Sequence, residues 1–308
     1  MSHANRLYSL RNSDLHVPEG LHLLGAISGF TDAGGTMQQV AEHIFAKLRY
    51  EVIAEFDNDE LLDYRSRRPV MYFEQDHIAD YQPATLKLFM VWDEVGNPFL
   101  FLNGYEPDFR WESFVEAIQE LFDYFEIADL TWLHSIPFPI PHTRPVGVTV
   151  SGNQQHVIDK YSEWKPRTQV PGNVMHLIEY RLSETVPTTG FVLLVPHYLS
   201  DAEFPQSAVT AFELIASHLG LVFPTDELRD EGYEFLRRVS SEMNDKPDLA
   251  RMVEGLEKSF QSDKASNGMG AVKPRASEVP DAESIAAELE GYLARHQQNK
   301  RENEEDED

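Results

Sequence analysis

A chain of 308 residues with 42% hydrophobic content can fill a large core, in one large or two ordinary domains. Its 52 acidic and 26 basic residues give a formal net charge of −26, a surface that repels phosphate backbones and anionic lipid, so neither nucleic acid nor a membrane is an expected partner. The absence of cysteine excludes disulfides, thiolate catalysis and Cys-ligated zinc, and suits a reducing compartment.

Met1 leads into Ser-His-Ala-Asn-Arg, without the cationic start and apolar core of a secretory leader. No apolar run nears the ~20 residues that span a bilayer, so a soluble cytoplasmic protein is expected. Residues 21–28 are a nearly continuous apolar run, the pattern of a strand covered on both faces. A glycine-bearing loop, Gly29-Phe-Thr-Asp-Ala-Gly-Gly35, follows. Beyond it Met37, Val40, Ala41, Ile44, Phe45 and Leu48 fall at helical spacing and make one buried stripe. A second strand over 50–56 then predicts a βαβ crossover.

From Asp57 through Arg65, Arg67 and Arg68 the chain reads as a polar, basic-punctuated loop. Strands are predicted at 70–73, 86–92 and 98–103, the last two joined by the turn chemistry of Asp93-Glu-Val-Gly-Asn-Pro98. Residues 111–125 read as a helix with Phe114, Val115, Ile118, Leu121 and Phe122 inward, and 130–136 as the next strand. The proline-rich loop over 137–145 leads to a strand at 146–150 and a turn at 151–153. Residues 191–195 are the last clear core strand, with a helix over 206–219 behind it.

Composition changes after Phe223. Thr225 can cap a helix to about residue 243 carrying Leu228, Phe235, Leu236, Val239 and Met243 on one face. Asn244-Asp-Lys-Pro247 breaks it, and a second helix carries Leu249, Met252, Val253, Leu256 and Phe260. Residues 261–280 read as a linker, Asp281 can cap a short helix with Ile285, Leu289 and Leu293, and the chain ends in an acidic tail. The expected division is an α/β core domain over 1–224, a helical hairpin over 225–262, and linker, short helix and tail over 263–308.

Two loops hold candidate ligand-binding residues. Gly29, Thr31, Asp32, Gly34 and Gly35 lie where a strand feeds a helix, and backbone N–H groups there can cradle a small anion. The loop is neither GxGxxG nor a P-loop, and the Asp32 carboxylate competes with an incoming anion. The competing reading, which the sequence favours, has Thr31 or Asp32 capping the helix and the glycines permitting the turn. In the second loop, His142 and Arg144 read as an acid/base and an anion clamp, or as a carbonyl cap and the partner of a carboxylate. His134, His197 and Asp57 can be imagined with His142 around a metal, but no spacing demands it and HExxH is missing. Ser28 and Ser151 lack the GxSxG elbow of a serine hydrolase. No metal, cofactor or catalytic residue is assigned.

The loop Gly29-Phe-Thr-Asp-Ala-Gly-Gly35 after the first strand, taken with Pro141-His-Thr-Arg-Pro145, resembles the bacterial branch of the proteasome assembly chaperone 2 family, over roughly residues 15–225. The resemblance implies a three-layer α/β/α domain akin to the nucleoside phosphorylase and hydrolase-like folds, followed by a helical hairpin. It also implies self-association, with a homotrimer as the expected form. The eukaryotic relatives are scaffolds that help assemble proteasome rings and do no known chemistry, and the family has no established catalytic residues to carry over. Some bacterial relatives carry labels suggesting an ATP-dependent ligase; no nucleotide-binding signature in this chain backs such a label.

Two functions follow as expectations. One is a non-catalytic protein-assembly or interaction protein with a homo-oligomeric state and a protein partner. The alternative is a small-molecule or anion-binding enzyme of the phosphorylase/hydrolase-like fold, with His142, Arg144 and the 29–35 loop lining a site at the strand ends. The amphipathic hairpin, the acidic surface and the missing catalytic signatures favour the first.

Overall fold

A computed structural model of the chain describes residues 7–12, 14–165 and 167–265, and eight of its strands hydrogen-bond into one sheet. The first, β1 (Tyr8–Leu10), is a short edge strand. The apolar run becomes β2 (His22–Ser28), whose middle is fully buried, and the stripe of Met37, Val40 and Ile44 seats α1 (Thr36–Lys47) on one face of the sheet. Next come β3 (Arg49–Phe56) and a single turn of helix, α2 (Asn58–Leu61), where the sequence predicts only loop. Asp57 starts that turn, its carboxylate accepting from the Asp59 N–H at 2.9 Å.

Strands β4 (Val70–Glu74) and β5 (His77–Gln82) pair only with each other, as a separate two-stranded sheet. They are followed by β6 (Leu86–Trp92) and β7 (Pro98–Tyr105), an antiparallel hairpin with Trp92 opposite Pro98. Its turn is built on buried Asp93, whose carboxylate accepts from the N–H groups of Val95 (3.0 Å), Asn97 (2.7 Å) and distant Val222 (3.0 Å). Burial alone raises this carboxyl, but those backbone donors outweigh it and hold it below its usual value.

Helix α3 (Trp111–Phe125) buries the predicted face, and β8 (Asp129–Phe138) runs through the centre of the sheet. Beyond the proline-rich loop lie β9 (Gly147–Gly152), α4 (Gln155–Tyr161), α5 (Val174–Leu182), β10 (Thr188–Pro196) and α6 (Pro205–Leu219). The helical hairpin is α7 (Asp226–Asp245) and α8 (Pro247–Ala265).

Strand order is β1-β3-β6-β7-β2-β8-β10-β9. The central strands β7, β2, β8 and β10 are parallel, with Leu23 opposite both Leu100 and Leu130, while β1, β6 and β9 join antiparallel. The crossover from β2 through α1 reaches β3 as expected, but it lands beyond β6 and β7, which occupy the intervening positions. Each face of the sheet has its own core. Leu24, Phe101 and Leu193 face α1 and α6, whereas Leu23, Leu100 and Trp132 face α3 and α5. The architecture is therefore a three-layer α/β/α domain. Trp132 is fully buried, and its indole lies where a Cβ on Gly190 of the neighbouring strand would come within 2.5 Å, so only glycine fits there.

Two further differences from the sequence reading lie at the helical hairpin, in the cap of α7 and the end of α8. Thr225 makes no side-chain cap; its hydroxyl accepts from Arg229 Nε at 3.3 Å, and Asp226 and Glu227 supply the negative charge of the first turn. Helix α8 continues to Ala265, through residues read as the start of a linker. The outer edge of β9 is not bare, since Val148 O accepts from Glu163 N at 2.8 Å and Val150 N donates to Ser162 Oγ at 3.1 Å. The short helix after Asp281 and the acidic tail lie outside the described residues. No helix among the described residues is long and apolar enough to cross a membrane.

Candidate functional site

The 29–35 loop leaves the end of β2 and turns into α1 through Gly34 and Gly35, at φ 71° and 58°, a backbone conformation that disfavours any Cβ. Gly34 is tied from both sides, its N–H donating to Ser200 O at 2.8 Å and its carbonyl accepting from Phe204 N at 2.9 Å. Asp32 turns its carboxylate onto the start of α1. Oδ1 accepts from Met37 N at 2.8 Å and from Ser135 Oγ at 3.0 Å, and Oδ2 accepts from Gln38 N at 3.1 Å. Helix N-termini favour negative charge, and here the chain supplies its own. The N–H groups that would cradle an anion already have an acceptor.

In the second loop, His142 is 4% exposed. Its backbone N–H donates to the Tyr198 hydroxyl at 2.8 Å, and that hydroxyl lies 2.7 Å from His142 Nδ1, to which it can donate in turn. His142 Nε2 is buried without a hydrogen-bond partner among the described residues. Burial lowers the pKa of this ring against the opposing pull of Glu257, and burial pushes the Tyr198 hydroxyl up to about 12. Arg144 donates from Nε (3.0 Å) and Nη2 (2.7 Å) to Glu257 Oε2 on α8, and its guanidinium lies 5.6 Å from the centre of the Phe260 ring. Thr143 donates to the other oxygen of Glu257. The two loops meet the same short turn, His197–Leu199 with Ser200 after it, and the Asp32 carboxylate and the Arg144 guanidinium are both engaged from within the chain.

The imagined metal ligands are dispersed. Asp57 begins α2, His197 packs on Tyr198 with ring centres 5.4 Å apart, and His134 pairs with Phe30. No group of three or more His, Asp or Glu among the described residues is placed to hold a metal ion. Ser28 Oγ donates to Gly104 O at 3.3 Å. Ser151 Oγ donates at 2.7 Å to Glu179 Oε2, which also accepts from Trp132 Nε1 at 2.7 Å. Burial raises the Glu179 carboxyl, and those two hydrogen bonds oppose the rise.

The most conspicuous surface is formed by the strand predicted at 70–73 and its neighbour. Every residue of β4 and β5 is exposed, with Val70 at 67% and Tyr72 and Phe73 each at 62%. Met71 pairs across the ladder with Tyr81, and Phe73 with Ile78, so apolar side chains stand on a two-stranded ribbon with neither face covered. Such a ribbon is marginal on its own in water, and a contiguous apolar patch of this kind marks an interaction surface. Arg65 and Arg68 are exposed just before it. Charged and polar residues at Glu74, Asp76, Asp80 and Gln82 were the available signal, since they break the run that a covered strand would need.

A model of the PAC2 family matches residues 26–243. The structure is similar to that of a Mycobacterium tuberculosis protein of unknown function, at 32% identity and TM-score 0.79 over 85% of this chain and 90% of that one. A Corynebacterium glutamicum protein of unknown function is similar at 31% identity and TM-score 0.80, over 85% of this chain and 99% of that one. A Mycobacterium tuberculosis proteasome-assembly chaperone homologue shares the fold at 20% identity and TM-score 0.70, over 76% of this chain and 100% of that one. No curated protein matches the chain.

Proposed function

Because the chain belongs to the PAC2 family, we propose that it is a non-catalytic assembly protein that docks other protein surfaces, a second copy of itself first, through the β4–β5 hairpin. The observation that carries this reading is the ribbon of Val70, Met71, Tyr72, Phe73, Ile78 and Tyr81, exposed on both sides. Charge supports a second copy as occupant. The ribbon is flanked by Arg65 and Arg68 in a chain of net charge −26, so another copy offers the acidic surface that these cations fit. An assembling role is supported by proteins of similar fold described as proteasome-assembly chaperone homologues, one from Mycobacterium tuberculosis and one from Pyrococcus furiosus. We take the assembled form to be a cytoplasmic homotrimer, with the helical hairpin acting as a brace on the α/β core.

The alternative of an anion-binding enzyme needs a free helix start and a free Arg144. Asp32 fills the first and Glu257 holds the second. On this reading Gly29, Thr31, Asp32, Gly34, Gly35, His142 and Arg144 shape and fasten the strand-end loops and take no substrate.

Sedimentation of the full chain at physiological salt tests the proposal. The wild type is expected to sediment as a trimer, and Tyr72→Asp with Phe73→Asp as a folded monomer of unchanged circular dichroism, because those side chains support no core. A wild-type monomer, or a variant that still assembles, would overturn it.

A further inference from the structure

On the α5 side of the sheet, beside the end of β2 and over β8, lies a cavity of about 590 Å³, lined in part by Phe30 and Thr31 of the 29–35 loop but by none of Asp32, His142 and Arg144. Its walls are mostly apolar, including Phe30, Ile136, Trp164, Val170 and Val192. Clefts of this size with a few convergent polar groups are the usual form of a small-molecule site, and in open α/β sheets they gather beyond the carboxyl ends of the strands.

The polar groups of its lining include His134, only 5% exposed, and the partly exposed Thr31 beside Phe30. The His134 ring lies nearly parallel to Phe30, 5.9 Å away at an interplanar angle of 19°, and 6.3 Å from the ring of His176. It makes ring contacts but no hydrogen bond among the described residues. Its ring nitrogens are not among the polar atoms sealed from solvent, so they are open to whatever occupies the cavity, and a ligand group that replaces water there can hydrogen-bond to them. By contrast, His176 Nδ1 already accepts from Asn173 N at 3.2 Å at the head of α5, Ser151 is bonded to Glu179, and Thr149 is bonded to the carbonyl of Trp164.

Charge narrows the ligand. Burial lowers the pKa of His134 to about 4, with His176 adding to the effect, and burial lowers His176 as well, so both rings are neutral near pH 7. Lys165, at the rim, is paired with Asp159 at 3.0 Å. An anion would find no unpaired cation in this lining, and a cation would find no free carboxylate, since Glu179 lies behind Ser151 and Trp132. The flat aromatic walls favour a ring.

We infer that this cavity binds an uncharged aromatic molecule carrying one hydroxyl or amide group, with its ring against Phe30 and Trp164 and its polar group hydrogen-bonded to His134. The site shares no residue with the β4–β5 hairpin, so it stands or falls apart from the assembly reading.

The test uses the full chain and 1-naphthol as probe, with naphthalene and 1-naphthoate as controls, followed by fluorescence titration. Saturable binding of 1-naphthol is expected, about tenfold tighter than naphthalene for one buried hydrogen bond, with no binding of the charged 1-naphthoate. His134→Phe keeps the ring and removes the hydrogen bond, and should bring 1-naphthol down to the affinity of naphthalene. Val170→Trp, at an exposed rim position that supports no core, should block both. Absence of saturable 1-naphthol binding overturns the inference, as does equal affinity for 1-naphthoate or wild-type affinity in both variants.

Discussion

Arg144 and Glu257 stand 113 residues apart in the chain and meet at 2.7 Å, so that one ion pair fastens α8 across the proline-rich loop. The contact ties a loop framed by prolines to a helix that comes more than a hundred residues later in the chain. It also turns a residue suited to holding a substrate anion into a brace.

Arg144→Ala is expected to lower the stability of the fold by about 0.5–1 kcal/mol, the range of a pair still reached by solvent, and to speed amide exchange along α8. The hydrogen bond from Arg144, with that from Thr143, holds the Glu257 carboxyl below its ordinary value of 4.5. A depressed folded value stabilises above the unfolded one and is lost as pH falls through the folded one. Denaturant titrations of the wild type and Arg144→Ala should therefore converge as the solution is acidified below pH 4.5.

Asp32→Ala removes the acceptor for Met37 N, Gln38 N and Ser135 Oγ, and a cost of about 1–2 kcal/mol is expected, in line with loss of a charged helix cap. Asp32→Asn should cost less, because the amide oxygen still accepts. Chemical unfolding checks the order. The bared helix start of the alanine variant should also gain thermal stability from inorganic phosphate, and the wild type should not.

His22 Nδ1 lies 2.6 Å from Asp129 Oδ2, and that hydrogen bond raises the pKa of the histidine against an opposing effect of burial. A histidine raised on folding stabilises fully below its unfolded value of 6.5 and ceases to do so as pH rises through the folded value. Asp129→Asn should abolish the elevation, read directly from the His22 ring proton by NMR titration. The same variant should weaken the fold more at pH 6 than at pH 8.

For Glu179 the raised carboxyl works the other way from Glu257. Its contribution is complete below 4.5 and is lost as pH rises through the folded value, because the buried carboxylate must then ionise. Glu179→Gln keeps an oxygen for Trp132 and Ser151 and has nothing to ionise. Relative to the wild type, the variant should therefore gain stability between pH 4 and pH 8 in parallel urea titrations.

The long amphipathic and apolar segments were legible from the sequence, because burial of Leu24 or Phe114 writes a period directly into the residue order. The strand over 70–73 was legible too, but its place outside the main sheet was not. Val70, Met71, Tyr72 and Phe73 have the composition of a core strand and are covered by nothing among the described residues. Helix α5 escaped notice since Glu179 sits among its apolar residues, and only the fold shows that Trp132 and Ser151 await it. In the candidate site, Asp32 could be read as a cap, as its residue type and the following helix suggested. The bond between Arg144 and Glu257 could not, because no local pattern links residues so distant. His134 was visible only as a histidine near a strand end, and its neighbours Phe30 and His176 come from separate parts of the chain.

The treatment of the sheet's two margins bears on how this protein ages. β1 is three residues long, and the outer side of β9 is closed by Ser162 and Glu163. Bare strand margins are the template for cross-β growth, and in the main sheet β1 covers the Ala54–Phe56 end of β3 while Ser162 and Glu163 cover β9. The β4–β5 ribbon is the opposite case: its two strands pair only with each other and are exposed throughout, so heating or crowding is expected to add strands there while the domain is still folded.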